Sequence, residues 1–405
     1  MVDAPVRPWV ERSPRLTVVG SVSTARHHEE LSVRQIRFQS LALLGAGLLL
    51  VGAVPAVAQS PAAADPWTAP YDVAAAKTEA AAFQTYGMPD SWANYGESIK
   101  EFCAANGFDP CVRTEAGPDY SSLEEITHFD AEKNNPVASM ADIGIMFAPV
   151  ADAQGVVPAY LPPNAAGLPA GFKSPTGGWV ATFAGVPGFN VNVKALTDKG
   201  IAIPTTWADL AKPDYKGLVG IGTIGQSGTA TSSFIAMNMA AGGTMDDFAP
   251  GIAYGKQLLP NIDGVKQGGD AEMEKGEVPI QIKYDFNLIA QANALKTKGI
   301  DVQTVIPADG SIYAPSALML NKYDTAHMDL AKMFSEWVLT DAGQTAFAKF
   351  GARPIRSVLG DLTLPADAKT LWLPDDQYAQ VQTVDLTVKT PQEIGDLWNS
   401  GVLGQ

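Results

Sequence analysis

Apolar residues run almost unbroken from Leu41 to Val54, and no later stretch of the chain is comparable in length. Past Asp65 the pattern changes to short apolar segments divided by Gly, Pro, Asn and Asp, whose spacing switches between helical and strand-like. Residues 72–85 are Ala-rich and fit a helix or a strand. GMPDSWANYG (Gly87–Gly96) reads as a loop entering a helix that Asp90 or Ser91 caps and whose apolar face carries Trp92, Tyr95, Ile99 and Phe102. Cys111–Glu115 predicts a short strand. Pro118–Asn135 predicts a helix opened by a Ser-x-x-Glu cap, Ser121 or Ser122 with Glu124 or Glu125. Ala141–Ala151 is so evenly apolar that it predicts a buried strand.

A Pro-rich connection follows, and then two strand-like pieces in Gly177–Val193, broken at Gly185–Gly188. Ile203–Gly222 predicts a capped short helix, a turn and a strand, and Ser227–Gly243 a helix with a Gly-rich entry. Beyond it come a helix at Asp270–Glu277, a strand in Val278–Phe286, a helix at Asn287–Lys298, strands at Asp301–Pro307 and Ser311–Asn321, and helices in Asp329–Lys349. The tail, Pro374–Gln405, reads as turn and helix. Strands alternating with helices place the chain in the α/β class, with open and largely parallel sheets. Ligands of such sheets bind beyond the carboxyl ends of the strands, so the loops there are the ones to inspect for chemistry.

The apolar run is about 14 residues, short of the roughly 20 a membrane-spanning helix needs. Arg34 and Arg37 precede it, and small residues follow in AVAQ (Ala56–Gln59) and AAAD (Ala62–Asp65). A basic region, an apolar core and an A-x-A site form a secretory signal, cleaved near Gln59 or Asp65; an uncleaved anchor is the competing reading. No cysteine lies near the site to carry a lipid. Residues 1–33 are polar and precede the signal's own basic residues, which points to a translation start at a later codon such as Val33.

Residues 1–58 carry six Arg and four acidic residues, a net of +2; the whole chain carries −15, so the remaining 347 residues carry −17. That charge argues against a nucleic-acid partner. The length is too great for one ordinary core and predicts two lobes. Cys103 and Cys111, with seven residues between them, are the only cysteines. Export favours a disulfide joining a helix end to the loop after it, with two free thiols as the alternative. Past the signal only His128 and His327 remain, neither with ligand-like neighbours, so no metal site is expected.

GIGTIG (Gly220–Gly225) matches the dinucleotide pattern G-x-G-x-x-G between a strand and a helix. The acidic pair that follows, Asp246–Asp247, opens another helix instead of closing a second strand, so the glycines read as a tight turn. That turn leads into Ser227, Gly228 and Thr229 at a helix N-terminus, where free N–H groups and hydroxyls suit an anionic oxygen or simply cap the helix. Tyr284 and Asp285 stand at a strand end; Asp285 caps the next helix or pairs with a ligand amine beside the Tyr284 ring. Trp92, Tyr95 and Trp179 are candidates for an aromatic wall. The pairs Glu124–Glu125 and Asp375–Asp376 look like solvated faces. No nucleophile elbow, P-loop or zinc-protease motif is present, so no catalytic residue and no cofactor are assigned.

The segments PTTWADLAKPDYKGLVGI (Pro204–Ile221), SGTA (Ser227–Ala230), EKGEVPIQIKYDFN (Glu274–Asn287), VIPADGSIYAPSALML (Val305–Leu320) and AKMFSEWVLTDAGQTAFAKFGARPIR (Ala331–Arg356) resemble the family-1 extracellular solute-binding proteins of ATP-binding cassette importers. That group holds binders of ferric iron, thiamine, polyamines and aminoethylphosphonate. The resemblance implies a type II periplasmic-binding-protein fold: two α/β lobes, with open sheets flanked by helices, joined by crossing strands in Val180–Val193 and near Tyr313–Leu318. It implies lobe 1 from residues 59–180 plus 315–360 and lobe 2 from 181–314 plus 361–405. Its ligand loops fall on Gly87, Met88, Pro89 and Trp92, on Asp119, Ser121 and Ser122, on Ser227, Gly228 and Thr229, and on Tyr284 and Asp285. Ferric binders carry adjacent tyrosines where this chain has Tyr284–Asp285, which favours an amine-bearing or zwitterionic organic solute, such as a polyamine or an aminophosphonate, over iron. The implied role is a monomeric periplasmic protein delivering its solute to a membrane permease; the reading from another class is an exported α/β enzyme.

Overall fold

A computed structural model describes residues 65–117, 120–262 and 268–405. The export signal and Asp119 lie outside the described residues.

Eleven strands are described: β1 Phe83–Tyr86, β2 Arg113–Glu115, β3 Met140–Gly144, β4 Trp179–Gly185, β5 Pro187–Asn192, β6 Val219–Gly220, β7 Ile280–Tyr284, β8 Val302–Val305, β9 Ser311–Leu320, β10 Arg353–Pro354 and β11 Val381–Thr383. They form two sheets. The first runs β10-β4-β9-β3-β1-β2, with β11 added beside β9; the second runs β6-β7-β5-β8. Strand β1 pairs in parallel with β2 and β3, and β6 with β7, whereas β9 lies antiparallel to β3 and β4, and β5 antiparallel to β7 and β8. The sheets are therefore mixed, not largely parallel. The reason is the crossing itself: a chain that leaves one sheet and re-enters it later inserts a strand running against its neighbours.

Two connections carry the chain between sheets. The first is Val186 alone, between Gly185 of β4 and Pro187 of β5; the second is residues 306–310, just before β9. All of β9 belongs to the first sheet, so this crossing lies just ahead of Tyr313–Leu318, near which it was expected, and the first falls inside Val180–Val193, with β4 in the first sheet through Gly185. The Ser311 hydroxyl donates to the Pro187 carbonyl at 2.7 Å and ties the two crossings together. The tail is shared. Trp372 Nε1 donates to Ala348 O beside the first sheet, and β11 pairs with β9 at the hinge. Trp398, at the end of helix Pro391–Trp398, packs edge-on against Phe234 beside the second sheet.

Most expected elements form. Ser121 caps helix Ser122–Ala131 with Glu124 closing the capping box, and Ser227 caps helix Gly228–Ala240. Cys103, near the end of helix Tyr95–Asn106, is bonded to Cys111 in the following loop, with Cα atoms 6.3 Å apart. Two local expectations fail. Helix Tyr95–Asn106 starts from Asn94 in the left-handed region, with no side-chain cap; the helix begins too late for Asp90 or Ser91 to reach its first turn, and Asp90 pairs with Arg113 instead. Ala141–Ala151 is strand only to Gly144; the chain then turns through Ile145–Phe147 into helix Ala148–Gln154. A continuous apolar run is buried in either form, and Pro149 suits the first turn of a helix.

Candidate functional site

A cleft of about 830 Å³ opens between the two sheets near the crossings. Loops after β1 and β3 and the start of helix Ser122–Ala131 form one wall. The loop after β6, the start of helix Gly228–Ala240, the end of β7 and one face of helix Asp285–Lys296 form the other. These are the carboxyl ends of the strands, where the fold class places ligands. A smaller hollow of about 570 Å³, between helix Asp285–Lys296 and Thr370–Leu373, lies on the outside of the second sheet.

At the floor of the cleft the two walls touch. A Cβ placed on Gly144, at the end of β3, would lie 3.1 Å from the Gly228 Cα, and one on Gly228 would lie 3.2 Å from the Gly144 Cα. Hydrogen side chains allow this approach without strain; a methyl at either position would push the neighbour back by a few tenths of an ångström. Ser122 Oγ accepts from the Gly144 N–H at 3.1 Å and holds the first wall in place. Tyr284 closes the floor from the second sheet, its hydroxyl 2.9 Å from Ser232 Oγ and its ring against Gly185.

Charge is distributed unevenly between the walls. The first carries Glu124, Glu125 and Asp142 beside the Trp92 and Tyr120 rings. Asp142 accepts from Trp92 Nε1 at 2.7 Å and from Tyr95 Oη at 2.9 Å. Burial nevertheless pushes its carboxyl up to about 7, against the pull of those donors. Glu125 is 2% exposed, and its Oε2 has no hydrogen-bond partner. Burial first, and then the neighbouring carboxylates Asp142 and Glu115, push it well above the ordinary glutamate range. The second wall brings Ser227, Gly228 and Thr229 at the helix N-terminus, together with Asp270 and Lys283. Desolvation lowers the Lys283 ammonium below its usual value.

Of the residues singled out from sequence, Gly87, Pro89, Trp92, Ser121, Ser122, Ser227, Gly228, Thr229 and Tyr284 line the cleft together. Three do not. Met88 is fully buried behind the wall, its N–H donating to Glu115 Oε1 at 3.0 Å and its carbonyl accepting from Arg113 at 2.6 Å. Trp179 sits at the far end of β4, about 20 Å along the strand from Gly185 at the usual rise per residue. Its Nε1 donates to Asp152 at 2.8 Å.

Asp285 faces away from the cleft. Consecutive side chains at a strand end point to opposite sides, so Tyr284 and Asp285 cannot both reach one cavity. Asp285 Oδ1 accepts from the Val186 N–H at 2.9 Å and its Oδ2 from Tyr378 Oη at 2.9 Å, and Arg353 Nε lies 3.9 Å away. It is a hinge residue in this structure, not a partner for an amine in the cleft. Tyr95 likewise lies behind the wall and reaches the site only through Asp142.

Sequence reasoning missed Glu125, Asp142, Tyr120 and Lys283. Glu124–Glu125 was expected to be a solvated face, yet the first turn of its helix points Glu125 into the cavity wall. Asp142 did leave a signal: a lone acid inside the evenly apolar run Ala141–Ala151 must be satisfied or be used. Among the described residues, no group of three or more His, Cys, Asp and Glu is placed to hold a metal ion.

Solved structures share this architecture at low identity. The periplasmic binding protein AfuA from Actinobacillus pleuropneumoniae, described with fructose-6-phosphate bound, superposes with a TM-score of 0.60 at 21% identity, over 80% of this chain and 98% of that one. The apo ferric ion-binding protein A from Pasteurella haemolytica gives 0.58 at 16%, again over 80% and 98%. A putative spermidine/putrescine ABC transporter from Listeria monocytogenes gives 0.55 at 14%, with the same coverage. Such likeness establishes the type II periplasmic-binding-protein fold. A search of curated protein sequences finds no match. The family model for bacterial extracellular solute-binding proteins matches residues 138–381, which span the crossings, the second wall of the cleft and, of the first wall, Asp142 and Gly144, and the chain belongs to that family.

Proposed function

We propose that this protein captures a small amine-bearing or zwitterionic organic solute outside the cytoplasm and delivers it, as a monomer, to the permease of an ATP-binding cassette importer. The observation that carries this reading is the asymmetry of the cleft: a buried carboxylate with an unpartnered oxygen and aromatic rings on one wall, and helix N–H groups, hydroxyls and Lys283, with Asp270 as the one acid, on the other. An ammonium group suits the Glu125–Asp142 side, where Trp92 and Tyr120 add cation–π attraction. An acidic head group suits Ser227–Thr229, where the helix end offers free donors. A polyamine would use the first wall only; an aminophosphonate or amino acid would use both. Structural relatives are described as binding a sugar phosphate and as a spermidine/putrescine transporter, so the fold accommodates either chemistry. Iron finds less support: Tyr284 is paired with Ser232, and its neighbour Asp285 points the other way.

Each wall holds half of the site, so a ligand touching both stabilises the closed arrangement relative to the open one. A full reversal of that population takes about 5.5 kcal/mol of preferential binding to the closed state. The permease then reads closure. The test is a thermal-shift screen over diamines, polyamines, aminophosphonates, sugar phosphates and ferric citrate, followed by calorimetry on the solutes that stabilise. Amine-bearing solutes are expected to give the largest shifts. Stabilisation by a sugar phosphate or by iron, with none by any amine, would overturn the assignment.

A further inference from the structure

The carboxylates on the first wall have a counter-charge problem that the described residues do not solve. Glu125 is buried with Oε2 unpartnered and lines the solute cavity. Its Oε1 lies so close to Gly87 that a Cβ there would come within 2.2 Å of it. Every ionisable group around it is acidic, neutral or already committed. Glu124 on its own helix is held by the Ser121 cap. Glu115 of β2 is paired with Arg113, and Arg113 is divided between Glu115 and Asp90. Asp142 of β3 accepts from Trp92 and Tyr95, both neutral donors. The Tyr120 ring stacks on His128, whose Nδ1 is 2.8 Å from Glu132. Across the cavity stand Asp270, Tyr284 and the only cleft cation among the described residues, Lys283. No ion pair within 4.0 Å joins any of these cations to Glu125 or Asp142.

A buried carboxylate without a cation must take a proton or be stabilised from outside. We infer that the Glu125–Asp142 wall holds a proton in the unliganded protein and exchanges it for the ammonium group of the arriving solute, so that capture releases a proton. This rests on the amine assignment above. The balance is simple: the carboxyl O–H ionises, the proton leaves to solvent, and the ammonium takes its place as counter-charge with its own protons retained. Burial and the mutual repulsion of Glu125, Asp142 and Glu115 act in the same direction, with Asp142 held near 7. Affinity for an amine therefore rises with pH through the range in which the wall ionises, while an aliphatic amine stays charged throughout. A protein built this way discriminates against neutral isosteres of its solute, which supply no charge to replace the proton.

Two measurements test the exchange. Carbon-detected NMR of the Glu125 side-chain carboxyl, assigned by comparison with Glu125→Gln, is expected to show a titration midpoint well above the ordinary 4.5 in the ligand-free protein; a midpoint at or below it overturns the inference whatever the solute. Calorimetry with putrescine and with 2-aminoethylphosphonate, in phosphate and in Tris, is expected to show net proton release near neutral pH and at least about tenfold tighter binding at pH 8 than at pH 5.5. Glu125→Gln is expected to keep the fold, release less proton and flatten that pH profile. An amine that binds equally at both pH values, with no buffer dependence, defeats the exchange and leaves the function standing. If no amine binds and another class of solute does, the functional assignment and the exchange fail together.

Discussion

Asp285 at the hinge and Glu125 on the cleft wall are both buried carboxyls, and their surroundings differ completely. Asp285 has a backbone N–H, a phenol and a guanidinium around it, and Arg353 is itself clasped between the Trp372 and Tyr378 rings, 3.9 and 3.7 Å from their centroids. Glu125 has an oxygen with no partner and three acids around it, Asp142, Glu115 and Glu124. Burial raises the pKa of both, Asp285 to about 6, but at the hinge Arg353 and the donated hydrogen bonds pull back. The difference teaches that burial of a charge does not mark a binding site; the absence of an internal partner next to a cavity does. The partnered acid holds the molecule together, and the unpartnered one is available to a ligand.

The sharpest way to break this comparison is Asp285→Ala. It leaves Arg353 with only Asp375, 3.9 Å from its Nη1, as a carboxylate neighbour and the Val186 N–H without its side-chain acceptor, and is expected to cost about 3–5 kcal/mol in urea unfolding. A loss below about 1 kcal/mol would mean that the hinge does not depend on the pair. Glu125→Gln should act in the opposite sense, stabilising the ligand-free protein at pH 8 by about 1–3 kcal/mol while weakening amine binding at least tenfold, about 1.4 kcal/mol. The pH sign follows from the raised carboxyls. The folded state binds their protons more tightly than the unfolded chain does, so their contribution is fully present below the ordinary carboxylate range and is lost as pH rises toward about 7. Thermal unfolding of the unliganded protein should therefore occur at lower temperature at pH 8 than at pH 5, and the gap should narrow in Glu125→Gln. A smaller effect is expected for Trp179→Phe, which loses the bond to Asp152 and about 1 kcal/mol of stability with solute affinity unchanged. Any large change in affinity would return Trp179 to the site. Gly228→Ala should have the smallest effect: the tight approach to Gly144 must give by a few tenths of an ångström, costing about 0.5 kcal/mol and two- to threefold in affinity, with small-angle scattering shifted toward the open form.

Much of the cleft was legible because it is built from local signals. The Ser121–Glu124 capping box and the Ser227 cap mark two helix starts, and in an α/β protein those starts face the site. The glycines of GIGTIG mark the turn before the second. What was not legible depends on direction and distance. Tyr284 and Asp285 are neighbours in sequence, and only the alternation of the strand end, seen against both sheets, separates the cleft residue from the hinge residue. Glu124 and Glu125 are a featureless acidic pair until the tilt of their helix places one in solvent and the other against Gly87. Met88 was carried along with its loop, yet its backbone, not its side chain, is what Glu115 and Arg113 grip.

The sequence by itself determined the α/β class, the family, the Cys103–Cys111 pairing as one of two options, and most helix and strand positions, because each follows from short-range periodicity, capping chemistry and turn residues. Tertiary structure alone decided which acid faces the solute, where the chain crosses between sheets, and that Arg353, Tyr378 and Asp285 lock the hinge from three distant parts of the chain. Those outcomes depend on contacts between segments far apart in sequence, strand pairing for the crossings and long-range partners for the buried charges, and no local pattern encodes them.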